Sequence, residues 1–107
     1  MALVETRGRE TGRIARAAVG FVEEPDGSLL VAAGDSEADW ALNLIAEPGC
    51  RVTIGDRTRD AEAVELDGTE RARAVRELIL KYGTPSERLG HGPVFRLVPA
   101  RVDPETA

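Results

Sequence analysis

The turn Glu24-Pro25-Asp26-Gly27 is the feature that most constrains the fold of this chain, because it separates two short apolar segments. Proline presets the backbone angle at one turn position, and the Asp-Gly pair supplies the reversal of direction. Residues 14–22 and 28–33 are therefore expected to be strands that pair as an antiparallel hairpin. Four further segments have the short apolar or alternating patterns typical of strands: 3–6, 51–54, 58–66 and 94–98.

Two other segments have helical patterns. Residues 39–46 predict a short helix, which Ser36 or Asp39 can cap and Pro48-Gly49 ends. A longer helix is expected from Asp67, which stands at capping-box spacing from a glutamate, to a C-cap at Gly83. Its packed stripe is expected to comprise Val75, Leu78, Ile79 and Tyr82.

The predicted fold is mainly β with two helices, an α+β class built from six to seven mostly antiparallel strands. Because open sheet edges promote aggregation, we expect a small closed or partly closed barrel with the helices packed outside. The length of 107 residues predicts one domain, 1–107. A helical turn over 84–89 and a frayed tail over 103–107 complete the prediction.

Charge and composition argue against several classes of protein. The net charge of -5 disfavours a nucleic-acid binder, whose surface is normally basic. No stretch approaches the ~20 apolar residues of a membrane span, and no signal-peptide core is present, so a cytoplasmic protein is expected. The single cysteine, Cys50, excludes an internal disulfide and a multi-cysteine zinc site, and it is expected to be buried. No metal site is predicted.

The most unusual local sequence is residues 7–16, which hold four arginines, two glycines and a threonine between two predicted strands. Guanidinium groups are forked donors that match phosphate and carboxylate oxygens. Glycines allow the backbone N–H groups to approach an anion. The segment is therefore either a phosphate cradle or a solvated, charged hairpin turn.

A second group of residues lies at the end of a predicted strand and on the following helix. Small residues at a strand end, Ala32-Ala33-Gly34, allow a flat ring to approach the backbone. Trp40, Asn43 and Leu44 share one face of the short helix. Trp40 can wall such a ring or belong to the core, and Asn43 needs a hydrogen-bond partner if it is buried.

Self-contained acid–base or nucleophilic catalysis has little support in the sequence. His91 is the only histidine and lies in a Gly-Pro loop, where it is an ordinary loop residue, a substrate-edge residue or a general base. The spacing of Gly8 and Gly12 does not match a dinucleotide-binding fingerprint. An enzyme of this composition would depend on a bound cofactor for the difficult chemistry.

Taken in order, the two groups resemble the deazaflavin-dependent nitroreductase family. The resemblance rests on Thr-Arg-Gly-Arg-Glu-Thr-Gly-Arg from Thr6, then Ala-Ala-Gly, then Asp-Trp-Ala-Leu-Asn-Leu and a proline before the next strand. It runs from about residue 3 to residue 98. It implies a split β-barrel of the flavin and deazaflavin oxidoreductases, related in fold to pyridoxamine-phosphate oxidases, and it implies coenzyme F-420, an 8-hydroxy-5-deazaflavin.

The resemblance also implies cofactor-binding residues. The phosphate and the polyglutamate tail would be met by Arg7, Arg9, Thr11, Gly12 and Arg16. The ring edge would be lined by Ala32, Ala33 and Gly34, and the opposite wall formed by Trp40, Asn43 and Leu44.

Three functions follow as hypotheses. The first is a reductase that transfers a hydride from reduced F-420 to a quinone, enone or nitro compound. The following proton would come from solvent or from Tyr82, whose other role is helix packing. The second is an FMN-binding oxidoreductase of the same fold. The third is a non-catalytic carrier of an anionic amphiphile, which the acidic residues around Trp40 favour. A homodimer is a further expectation.

Overall fold

The computed structural model describes residues 1–83 and 91–100, which form one antiparallel sheet and two helices. The strands are β1 (Ala2–Arg7), β2 (Ile14–Val19), β3 (Val22–Glu23), β4 (Leu29–Ala32), β5 (Gly49–Ile54), β6 (Arg57–Glu65) and β7 (Val94–Pro99). The helices are α1 (Asp39–Ala46) and α2 (Gly68–Tyr82). The predicted α+β fold is confirmed. The predictions for 84–89 and 103–107 lie outside the described residues.

The sheet curls until its two edges approach each other. The strand order is β2-β1-β5-β6-β7-β4-β3, so β2 and β3 are the edges. These edges are successive in the chain and separated only by Gly20 and Phe21, which places their facing ends within about 11 Å. The strand predicted over 14–22 is therefore broken, because its first part pairs with β1 and its last residue pairs with β4. The result is a split barrel, and the hairpin predicted around Pro25 is confirmed as β3–β4.

The main core fills the inner face of the barrel, and α1 covers one end of it. Alternate residues of β1 face inward, and Val4 and Thr6 are no more than 1% exposed. Ala41 and Leu44 of α1 pack into the same cluster with Phe95. Because α1 follows β4 and precedes β5, it lies at the end of the barrel where β1 enters its turn.

The second helix packs on the outer face of the sheet. Ala74 and Leu78 of α2 form a separate cluster with Leu30, Ala32 and Val94. The packed face therefore centres on Ala74 and Leu78, and the predicted stripe was wrong at Tyr82, which is 38% exposed. Neither helix in the described part of the chain is long and apolar enough to span a membrane.

The bounds of the helices follow the prediction, but the predicted caps do not. The short helix spans the predicted residues 39–46, yet its N-cap is Ala38 and no side chain caps it. Asp35 instead accepts a hydrogen bond from the Glu37 N–H at 2.9 Å, which orders the preceding turn. Asp67 is the N-cap of α2 without a side-chain hydrogen bond, so the capping box is not formed. Gly83 ends α2 with a φ of 86°, as predicted.

Candidate functional site

The arginine-rich segment is a closed turn between β1 and β2. The Gly8 N–H donates to the Arg13 carbonyl at 2.7 Å, and the Gly12 N–H donates to the Gly8 carbonyl at 2.9 Å. Gly12 has a φ of 73°, a left-handed conformation that favours glycine. Thr11 Oγ1 accepts from the Arg13 N–H at 3.2 Å. These bonds hold the turn in one shape before any ligand arrives.

Asn43 connects this turn to the helix that covers the barrel. Its Oδ1 accepts from the Arg9 N–H at 3.2 Å and from Arg9 Nη1 at 2.8 Å. Its Nδ2 donates to Thr6 Oγ1 at 3.1 Å, and Asn43 is only 3% exposed. The partner that a buried Asn43 requires is therefore the arginine turn itself. Asn43 and Arg9 act together as a brace between β1, the turn and α1.

A cleft of about 220 Å³ lies between the turn and the start of α1. Its lining residues are Gly8, Arg9, Glu10, Thr11, Arg13, Ile14, Ala15, Asp39 and Asn43. Of the second group of predicted residues, Asn43 is the member that lines this cleft together with the arginine turn. Within the described residues, the Arg13 side chain has neither an ion pair nor a hydrogen bond. Arg13 is therefore the cation available to an anion in this cleft.

The other two arginines of the segment lie on the opposite face of the sheet. Thr6 faces the core, so its neighbour Arg7 faces outward by strand alternation. Arg16 is opposite Glu5 in the β1–β2 register and forms an ion pair with it at 3.5 Å. Arg7 lies 4.0 Å from Glu47. The structure therefore does not gather Arg7 and Arg16 with Arg9 in the cleft.

The residues predicted to surround a ring are divided between the core and the surface. Leu44 and Ala33 are each 1% exposed within the barrel, and Ala32 packs outside it beneath α2. Trp40 is half-buried, with its ring centroid 6.0 Å from that of Phe95. Gly34 is exposed at the end of β4. Trp40 and Gly34 are thus the members of this set that remain accessible.

Tyr82 lies at the break between β2 and β3 and does not line the cleft. Its hydroxyl accepts from the Phe21 N–H at 2.9 Å and lies 3.1 Å from the Phe21 carbonyl, to which it donates. Lys81 Nζ also donates to that carbonyl at 2.5 Å and lies 4.1 Å from the centroid of the Phe21 ring. In this structure the end of α2 supplies hydrogen-bond partners to a residue that has left the β-ladder.

The cleft is electrically balanced. Asp39 Oδ1 lies 3.3 Å from Arg9 Nη2, and Glu10 and Arg13 contribute one charge of each sign to the lining. An anion entering the cleft would meet Asp39 as well as the arginines.

The Cys50 thiol is not a reactive group here, because burial and, secondly, the Asp60 carboxylate raise its pKa to about 11.

Six lining residues of the cleft were not among the binding residues expected from the sequence: Gly8, Glu10, Arg13, Ile14, Ala15 and Asp39. The alternation of β2 carried a signal for Ala15. Val19 and Ala17 face the core, so Ala15, which has the same parity in β2, faces the same side, whereas Arg16 faces away. Arg13 lies in the turn before β2, so strand alternation does not determine its direction. Asp39 carried no such signal, since its proximity to Arg9 depends on the packing of α1 against the turn.

A family model described as F420H(2)-dependent quinone reductase matches residues 1–91. The chain belongs to this family. The resemblance to deazaflavin-dependent reductases noted in the sequence is thereby confirmed at the level of the family. A search of curated proteins found no match.

The fold of this chain is similar to that of several solved structures. A structure described as an F420-H2 dependent reductase (FDR-A) has a TM-score of 0.76 and 28% identity, covering 90% of this chain and 91% of that one. A structure described as a domain-swapped dimer has a TM-score of 0.75 and 28% identity, covering 90% and 78%. HutZ, a heme storage protein from Vibrio cholerae, shares the fold with a TM-score of 0.78 and 21% identity, covering 94% and 82%.

Proposed function

We propose that this protein binds coenzyme F-420 in the cleft beside the arginine turn and reduces a quinone. The observation that carries the proposal is Arg13, an unpaired guanidinium among the described residues of a pre-ordered turn. Membership of the quinone reductase family over residues 1–91 supports both the cofactor and the class of acceptor.

The donors in the cleft fit the anionic end of such a cofactor. In addition to Arg13, the backbone N–H groups of Glu10 and Thr11 have no hydrogen-bond partner within residues 1–83 and 91–100. Two successive N–H groups beside a guanidinium are the chemistry that binds a phosphate. We infer that Arg13, Glu10 and Thr11 hold the phosphate, while Arg9 and Asn43 position the turn.

The bound deazaflavin, when reduced, supplies the hydride for the reaction. The protein contributes binding and orientation, and α1 shields the cleft from the interior of the barrel. Trp40 and Gly34 are the accessible residues near the start of α1 against which a flat ring can lie. Because the Tyr82 hydroxyl is bonded to Phe21, solvent is the proposed source of the proton.

The first test is a titration of the protein with F-420 and, in parallel, with FMN. Binding is measured as the quenching of the fluorescence of the single tryptophan, Trp40. Arg13→Ala is expected to weaken F-420 binding by about tenfold or more, because a charge-assisted hydrogen bond is lost. Arg16→Ala is the matched control, since it removes the same charge from the outer face, and its affinity is expected to stay within about twofold. Equal losses in both variants would contradict the assignment of the cleft.

The same preparation then tests the reaction. Reduced F-420 is expected to be reoxidised when a naphthoquinone is added, and parallel assays with an enone and a nitroaromatic compound rank the acceptors. Tight binding without reoxidation by any of the three would favour a carrier of the anionic ligand. Preferential binding of FMN would favour the flavin alternative.

A second substitution tests the balance of charge in the cleft. Asp39→Asn removes a carboxylate beside Arg9, and we expect F-420 to bind about threefold more tightly, as Coulomb's law gives for one charge at several ångströms in a water-rich site. Glu62→Gln, an equal change in charge on an exposed residue of β6, is the control. Weaker binding by the Asp39 variant would show that this carboxylate is needed to hold Arg9.

A further inference from the structure

The two ends of the barrel are closed differently. At one end α1 places Ala41 and Leu44 in the core. At the other end, next to the β5–β6 turn, a cavity of about 190 Å³ is lined by Glu23, Val52, Ile54, Arg57, Thr58 and Arg59. This cavity, which we call the distal mouth, shares no lining residue with the cleft beside the arginine turn.

Two arginines point into the distal mouth from the inner face of the sheet. Arg57 is opposite Ile54 and Arg59 is opposite Val52 in the β5–β6 register, on the same side as the buried Ala61. Arg57 and Arg59 thus occupy successive inward positions of β6 at the end of the barrel, where both side chains remain exposed to solvent.

The two arginines have different surroundings. Arg59 Nη2 donates to the Gly27 carbonyl at 2.6 Å and so holds the β3–β4 turn. Arg57 makes no ion pair or side-chain hydrogen bond within the part of the chain that the structure describes. Arg57 therefore retains its donors for a ligand, above a floor formed by Val52 and Ile54.

We infer that the distal mouth binds a small monocarboxylate with an apolar body. The volume of about 190 Å³ is sufficient for a single ring, since cavities of about 150 Å³ accommodate benzene. Arg57 offers a forked donor to a carboxylate, and the apolar floor accepts the ring. Glu23 on the rim disfavours ligands that carry more than one negative charge.

Benzoate is the probe for this site. Binding is measured by titrating the protein with benzoate and recording the amide chemical shifts, and the signals of residues 52–59 are expected to move. The substitution Arg57→Gln is expected to weaken benzoate binding by about tenfold or more. Arg76→Gln makes the same change on the exposed face of α2 and is expected to bind benzoate as the unmodified protein does. Because Arg57 is exposed, its substitution should leave the amide spectrum of the fold intact.

Two further ligands separate the contributions of charge and ring. Benzyl alcohol keeps the ring without the charge, and inorganic phosphate keeps charge without the ring; both are expected to bind at least about tenfold more weakly than benzoate. Equal binding of either ligand, no binding of benzoate, or unchanged affinity in Arg57→Gln would overturn the inference. Arg13→Ala is expected to retain benzoate binding, so this result stands or fails independently of the cofactor.

Discussion

Gly92→Ala is expected to lower the free energy of unfolding by about 3 kcal/mol or more, at or above the upper end of the usual cost of overpacking a core. A Cβ at this buried glycine would lie 2.6 Å from the carbonyl oxygens of both Ala33 and Asp35. These are backbone atoms and cannot rotate away as a flexible side chain could. Because the Ala33 N–H also bonds to the Pro93 carbonyl at 2.9 Å, relief of the clash would disturb the start of β7.

Urea unfolding followed by circular dichroism measures this effect. Gly49→Ala is the matched control, since its Cβ would meet nothing within 4 Å and its backbone does not require glycine. That variant is expected to be neutral or slightly stabilised through the unfolded chain. Similar stability of the two variants would mean that the segment from Ala33 to Asp35 does not pack on Gly92 as described.

Asn43→Leu is expected to cost about 2–4 kcal/mol of stability, because several polar groups lose their partner at once. Leucine is similar in size, so the change isolates hydrogen bonding from packing. Thr6 Oγ1 would lose its donor in a site that is 1% exposed, and Arg9 would lose the acceptor for both its N–H and its guanidinium. The arginine turn would then no longer be fixed to α1, and F-420 affinity is expected to fall with stability.

Asn43→Asp is the informative comparison for this residue. A carboxylate keeps the acceptors for Arg9, and the Thr6 hydroxyl can donate to it in place of accepting. Urea unfolding is therefore expected to show a smaller loss of stability for Asn43→Asp than for Asn43→Leu. An equal loss in both would indicate that the site requires the Asn43 amide and that Arg9 contributes little.

Local patterns predicted the elements of this fold because local chemistry determines them. The turn at Pro25, the bounds of α1 and the C-cap at Gly83 each depend on a few adjacent residues. The break at Gly20-Phe21 does not, since it arises where one extended segment changes partner from β1 to β4. Nothing in residues 14–22 alone specifies which strand lies beside each half.

The candidate site was predictable as a set of segments and less so as a set of side chains. The arginine turn meets the start of α1 through Asp39 and Asn43. Arg7 and Arg16 lie on strands whose register directs them away from the core face, whereas Arg9 and Arg13 lie in the turn between these strands. The resemblance implied Arg16 as a binding residue, and nothing in the sequence alone indicated that Arg13 lines the cleft instead.

The hydrogen bonds from Lys81 and Tyr82 to the backbone of Phe21 indicate which part of the sequence determines how the two edges of the barrel meet. Phe21 stands between the two edge strands, and its backbone groups are satisfied by Lys81 and Tyr82, about 60 residues later in the chain. Any residue other than proline at position 21 would present the same N–H and carbonyl. Substitutions within the strands can therefore accumulate without altering this junction. The last turn of α2, in contrast, must keep side chains that are long enough to reach the backbone of residue 21 and can form hydrogen bonds with it. A mutation that separates the two edge strands is therefore to be expected in the codons of α2 rather than in those of the strands that it joins.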